Sequence, residues 1–538
     1  MTARRAFALS VLLLAGLATG LAGNIAFSPA TPTPKTLKVA LQGGLNSLDP
    51  YTLNESVTLG LLANVMEGLI KRDKDLKIVP GLAERWEVLE PTHWRFHLRK
   101  GVTFHDGSPF TADDVVFSAD RARGPGSQLK TRIPADAKVV KVDDYTVDFL
   151  LASPNPILHY EWETWFIMSK SWAEANGAGK AQPATATALS PFALKANGTG
   201  PFMVISHEPG VKTVFRPNPR WWGQPDHNLD EVVFQTISSD STRVAALLSG
   251  EVDLIDPLPV QDLERVKNGT TTAGLTAPEL RTIYLNMDSM REELTHASVK
   301  GRNPFKDPRV RRAFYQAIDI QAIKTKVMRG MAEPTALMIS PVLFSGASEF
   351  ARWPYDVAEA RKLMSEAGYA DGFELTMDCP NDRYVNDEEI CQAVAAMLTR
   401  IKVKVSVNAL PKAQYFEKVG PTRKYDSSFN LLGWTPGSLD SWNVLANLII
   451  CRDPNGKGGT FNFGGYCNPK IDELARRILV EHDTGKRNAM ISEAFKILHE
   501  DAGVIPLHQQ ALAWGVARNV QVVQRADGHI RFHWMRKK

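Results

Sequence analysis

A chain of 538 residues, 44% hydrophobic and 23% charged, is long enough for about three domain-sized units and has an ordinary globular composition, which excludes a disordered or fibrous protein. The 63 Lys and Arg exceed the 59 Asp and Glu by only four charges, scattered along the chain, which excludes nucleic acid as a partner.

At the N-terminus, Arg4 and Arg5 precede an apolar run over residues 6–22, with small residues at Ala22 and Gly23 for a peptidase. This is the pattern of an export signal over residues 1–23. Residues 24–36, containing SPATPTP, read as a flexible leader before a first strand at 37–41. The first cysteine is Cys379, so the lipid-attachment cysteine of a lipoprotein is missing and a free periplasmic protein is expected. No later apolar stretch approaches the roughly 20 residues of a membrane helix.

Trp94, Phe96 and Leu98 alternate with polar neighbours, as do Tyr145, Val147 and Phe149, so residues 94–149 read as β-rich. The stretch 177–191 reads as a surface loop. Beyond Ser239, helices and strands alternate, which argues for α/β lobes. A helix over 242–249 stops at Gly250, and a strand follows at 252–255. Asp307 as N-cap and Pro308 at the first helical position start a helix that puts Val310, Ala313, Phe314, Ala317 and Ile318 on one face. Asp356, with Glu359 three residues on, starts another that ends at Gly368. Strands near 373–377 and 403–407 flank a helix over roughly 387–400. The strand-like runs at 281–288 and 502–510 are candidate hinges between lobes.

Four cysteines in an exported chain favour disulfides over a metal site, since the C-x2-C spacing of zinc sites is absent. The local pairs Cys379 with Cys391 and Cys451 with Cys467 are one of three connectivities.

The run AERWEVLEPTHWRFHLRKGVTFHDGSPFTADDVVFS over residues 83–118 closely resembles the signature region of the family 5 solute-binding proteins, which serve ABC importers. Further cues of that family follow in order: LNSLDP (45–50), GTGPF (198–202), LLSGEVDLI (247–255), FKDPRVRRAFYQAID (305–319), EAGYADGFEL (366–375) and VIPLH (504–508). The resemblance implies an α/β, two-lobed periplasmic-binding-protein fold of type II, cluster C-like, with a β-rich subdomain inserted in the first lobe. On this expectation lobe I spans 37–284 with an insertion at about 83–198, lobe II spans 285–503, and 504–538 return to lobe I. The Cys451 and Cys467 pair stands where dipeptide-binding relatives carry a disulfide, just beyond their ligand loop.

In peptide-binding relatives an arginine in a segment resembling NDRYVND holds the ligand carboxylate, a role that falls here on Arg383. A guanidinium fork suits it, pairing bidentately with a carboxylate and staying charged when buried. Relatives place an acidic residue for the ligand ammonium three positions after a Gly-Trp; in GWTPGSLDSW that position is Gly437. Asp440, three residues further, either reaches the same space or caps the following helix. Trp434 is a candidate cleft wall, Leu45 and Asn46 are weaker candidates, and Trp221 and Trp222 read as core.

The segment His105-Asp106-Gly107-Ser108 has the residue types of a catalytic triad, but sequence neighbours cannot form that relay. There is no G-x-S-x-G elbow, H-E-x-x-H helix or Walker A loop. His93 and His97 share a strand face, which is weak grounds for a metal. The expectation is a monomeric, non-enzymatic binder that needs no cofactor and delivers peptides to permease subunits served by separate ATPases. The alternatives are the same fold on a nickel complex, haem, opine or oligosaccharide, an exported hydrolase, or a chemoreceptor's binding partner.

Overall fold

The computed structural model describes residues 34–453 and 458–538; the expected signal and most of the leader lie outside them. Its main feature is an eleven-stranded sheet shared by two halves of the molecule. In the first half, strand Thr36–Leu41 lies parallel to both Glu231–Thr236 and Leu254–Asp256, and the hairpin Phe202–Glu208/Lys212–Pro217 extends the edge. In the second, Phe373–Pro380 lies parallel to Val403–Leu410 and to Phe429–Trp434.

Two long antiparallel strands, Thr272–Met287 and Ile505–Ala517, run through both halves. Their apolar residues divide between two cores. Trp514 and Val516 belong to the core containing Leu37, Val39 and Trp162, while Ile283, Leu285, Ile505 and Leu507 belong to that containing Phe314 and Val394. The pairing is interrupted between Pro278 and Thr282, where a register shift falls at the junction of the halves. Both strands begin or end well outside the runs 281–288 and 502–510, because each continues as a paired strand into the other half.

The segment expected to be β-rich forms a four-stranded antiparallel sheet from Ala83–Glu90, His93–Leu98, Thr146–Leu150 and Lys138–Asp143. It also contains helix Ala112–Arg123, started by a Thr111/Asp114 capping box. The T-A-D-D spacing carries that signal, with Asp replacing the usual Glu. In the second half, Asp307 caps helix Pro308–Ala317 through the Arg309 N–H, and Asp356 caps Val357–Glu366 through the Glu359 N–H. Gly250 closes helix Asp240–Ser249 in the left-handed region at φ 79°, which glycine adopts without steric cost. Among the described residues no helix is long and apolar enough to cross a membrane.

Disulfides join Cys379 to Cys391 and Cys451 to Cys467. The first ties strand Phe373–Pro380 to helix Asp387–Leu398, the two elements flanking the loop that carries Arg383. Replacing Cys379 and Cys391 together by Ala should cost about 2–4 kcal/mol of stability by freeing that loop in the unfolded chain. Denaturant melts of the oxidised and doubly substituted proteins check this; coincident melts would assign the bond no stabilising role.

Candidate functional site

Residues from both halves line a cavity of about 90 Å³ where the long strands cross. Strands Thr36–Leu41 and Leu254–Asp256, parallel neighbours, end at it with Gln42, Gly43 and Asp256, and carboxyl ends of parallel strands are where α/β sheets receive ligands. Arg383 and Lys412 face it from the second half, and Asp527 and His529 from the C-terminal segment.

Arg383 is held by its own loop. The buried Asp387 carboxylate accepts the backbone N–H groups of Arg383 (3.0 Å), Tyr384 (2.9 Å) and Glu388 (3.0 Å), though burial still pushes its pKa up to about 7. The guanidinium sits 5.0 Å from the Tyr384 ring centroid and reaches Glu55 of the other half at 3.4 Å. Glu55 also caps helix Ser56–Leu62 by accepting the Thr58 N–H. Burial alone would raise the Glu55 pKa, but Lys412 and Arg383 bring it down to about 2. Arg383 Nε and Glu55 Oε1 have no hydrogen-bond partner. The two halves are thus clasped by an ion pair with bonding capacity to spare.

A second clasp lies near Gly437. Arg72 donates to the Ser438 carbonyl at 3.0 Å, and a Cβ on Gly437 would stand 3.0 Å from the Arg132 guanidinium. The position where relatives carry an acid is thus packed against a cation that also donates to Asn54. Asp440 caps helix Ser441–Val444 and takes both ends of the Arg487 guanidinium at 2.7 and 2.8 Å. Its charge is spent within the second half.

Trp434 is half-buried, donates to Asn443 at 3.0 Å and packs its ring 5.0 Å from Phe461. Leu45 is buried in the first half's core, and Asn46 is exposed beside Gly210; the cavity lining from this region is 41–43. Trp221 and Trp222 are half-buried, and both indoles donate to the buried Glu67 while Lys71 lies over their rings.

Several lining groups carry no motif. Arg281 donates to Glu279 at 2.9 Å, Gln510 donates to the other Glu279 oxygen at 2.7 Å, and the Val385 N–H donates to Gln510. This chain leads from the crossing strands to the Arg383 loop. The C-terminal wall is fixed by Arg525, which pairs with Glu163 and Asp527, while Glu163 also takes Arg531. His529 lies 3.3 Å from Asp527, and burial lowers its pKa.

The triad-like segment does not form a relay: His105 spends its ring nitrogens on the Gly198 N–H and the Gly200 carbonyl, while Ser108 donates to Asp106. His93 binds Asp148, and His97 binds Glu87.

Two halves joined by crossing strands, with a charged cleft between them, define a solute-binding protein. Residues 77–456 match the model for bacterial extracellular solute-binding proteins, family 5 Middle, and the chain belongs to that family. It is 27% identical over 522 residues to the glutathione-binding protein GsiB of Salmonella typhimurium, covering 94% of each chain. Its fold is similar to that of the periplasmic binding protein DppA from Helicobacter pylori in complex with the peptide STSA, at a TM-score of 0.82 and 24% identity over 93% of this chain and 97% of that one. It is also similar to AgaA of A. tumefacien R10 in complex with agropinic acid, at a TM-score of 0.78 and 23% identity over 93% and 96% of the two chains.

Proposed function

We propose that this chain is the periplasmic binding subunit of an ABC importer, and that it captures a peptide or peptide-like solute between its lobes. The observation that carries the reading is the cross-cleft pair of Arg383 with Glu55. Arg383 is preorganised by Asp387 and Tyr384 to hold a ligand carboxylate, which exchanges with Glu55 as its partner. Relatives named for glutathione binding or solved with the peptide STSA support the substrate class.

A cavity of about 90 Å³ holds a handful of waters, so a peptide enters when the lobes part and is retained when it touches both. The lobes divide at 284/285 and 503/504, with a β-rich insertion at about 83–198. The protein acts as a monomer without catalysis and reaches the periplasm by its N-terminal signal. Its permease partners draw on separate ATPase subunits.

A second reading, a non-peptide acid such as an opine, is favoured by one observation: Arg132 rather than an acid fills the space beside Gly437. Native mass spectrometry of the protein purified from its host's periplasm separates the two. Co-purifying short peptides are expected; a single sugar-acid or metal complex would overturn the peptide assignment and leave the fold intact.

A further inference from the structure

With Asp440 committed to Arg487 and Gly437 bare, neither position expected to receive a ligand ammonium can do so. The cavity nevertheless contains a carboxylate in need of a cation. Asp256 ends strand Leu254–Asp256 and lines the cavity together with Glu279, Arg281, Arg383 and Lys412. Among the described residues no Lys, Arg or His nitrogen lies within 4 Å of it in an ion pair, whereas Glu55, Glu279 and Asp527 each have one.

The cations nearest Asp256 are spent elsewhere. Arg281 serves Glu279. Arg243 is fully buried and serves the carbonyls of Ile237, Ser238 and Pro257 as well as Asp240. The Trp514 indole and the Glu279 carboxylate complete the surroundings. Burial, and next the charge of Glu279, push the Asp256 pKa up to about 7. A half-buried carboxylate lining the cavity is stabilised by any cation the cavity admits.

We propose that Asp256 receives the ammonium group of the ligand, opposite the cationic side of the cavity formed by Arg383 and Lys412. This rests on the peptide reading and deepens it. The cleft selects solutes carrying a free amine and a carboxylate, with the amine held from lobe I by a residue outside the GWTPGSLDSW loop. A solute so placed bridges the lobes electrostatically, since Asp256 belongs to the first half and Arg383 to the second.

The test offers two tetrapeptide libraries, one with free and one with acetylated N-termini, to the full mature chain and to its Asp256→Asn variant. Retained peptides are quantified by mass spectrometry. Wild type should retain free-amine peptides at least ten-fold better than acetylated ones, and Asp256→Asn should lose that preference. Equal retention of both libraries by wild type, or a preference that survives in the variant, overturns the assignment while the peptide reading stands. Retention of neither library by wild type overturns the peptide reading and the assignment with it.

A measurement on wild type alone guards against a variant that fails to fold. The free-amine preference should rise from pH 5.5 to 7.5 as Asp256 ionises, and a flat profile counts against the assignment.

Discussion

Arg383→Ala should weaken capture of a carboxylate-bearing peptide by about 2–5 kcal/mol, a rise in Kd of roughly 30- to 5,000-fold. The loss has two sources. The ligand carboxylate loses a desolvated, preorganised fork, and Glu55 is left facing the cleft beside the incoming negative charge with Lys412 as its main remaining cation. Titration calorimetry with a peptide recovered from the native protein measures it. Arg383→Lys should recover part of the affinity, because a point charge replaces the fork without its bidentate geometry. Unchanged affinity in Arg383→Ala would remove the residue from the site. Acid should act on the same clasp. The Glu55 pKa is depressed to about 2, so its contribution to holding the lobes is complete above the ordinary carboxylate value of roughly 4.3 and is lost as pH falls toward 2.

The largest stability loss is expected at Arg525. Its side chain is fully buried and pairs with both Glu163 and Asp527. Arg525→Ala should lower unfolding free energy by about 3–5 kcal/mol, because it leaves the buried Asp527 and the largely covered Glu163 sharing Arg531 and His529. Arg536→Ala is the control: that residue pairs with Asp226 on the surface, at 50% and 69% exposure, where a loss of about 0–1 kcal/mol is expected. Equal urea midpoints for the two variants would show that the buried network adds nothing. Burial alone would raise the Glu163 pKa, but Arg525 and Arg531 hold it well below the carboxylate range. The network's stabilisation is therefore present above roughly pH 4.3 and declines as pH falls below it.

Much of the fold was legible because local signals and tertiary placement agree. Asp307 and Pro308 mark a helix start by chemistry that needs no distant partner, and Gly250 marks a stop in the same way. The disulfide partners are 12 and 16 residues apart, close enough for local pairing to be the natural reading. The cleft was legible only at Arg383, through its resemblance. Glu55 is an ordinary helix cap, Asp256 an ordinary Asp-Pro turn, and Gln510 an ordinary strand residue until the fold gathers them. They come from segments hundreds of residues apart, so no spacing records their meeting. Asp440 shows the opposite limit, since sequence placed it near the right loop but could not show that Arg487 claims it from 47 residues away.

The position of strand Ile505–Ala517 has a consequence for how the protein is made. It lies between Leu254–Asp256 and Thr272–Met287 in the sheet, so neither lobe can close its sheet until that strand has been synthesised. At roughly 5–20 residues per second, the first half waits on the order of ten seconds or more for its missing strand. During that interval the first half of the nascent chain has an unfinished sheet, with strand Leu254–Asp256 lacking one of its two neighbours.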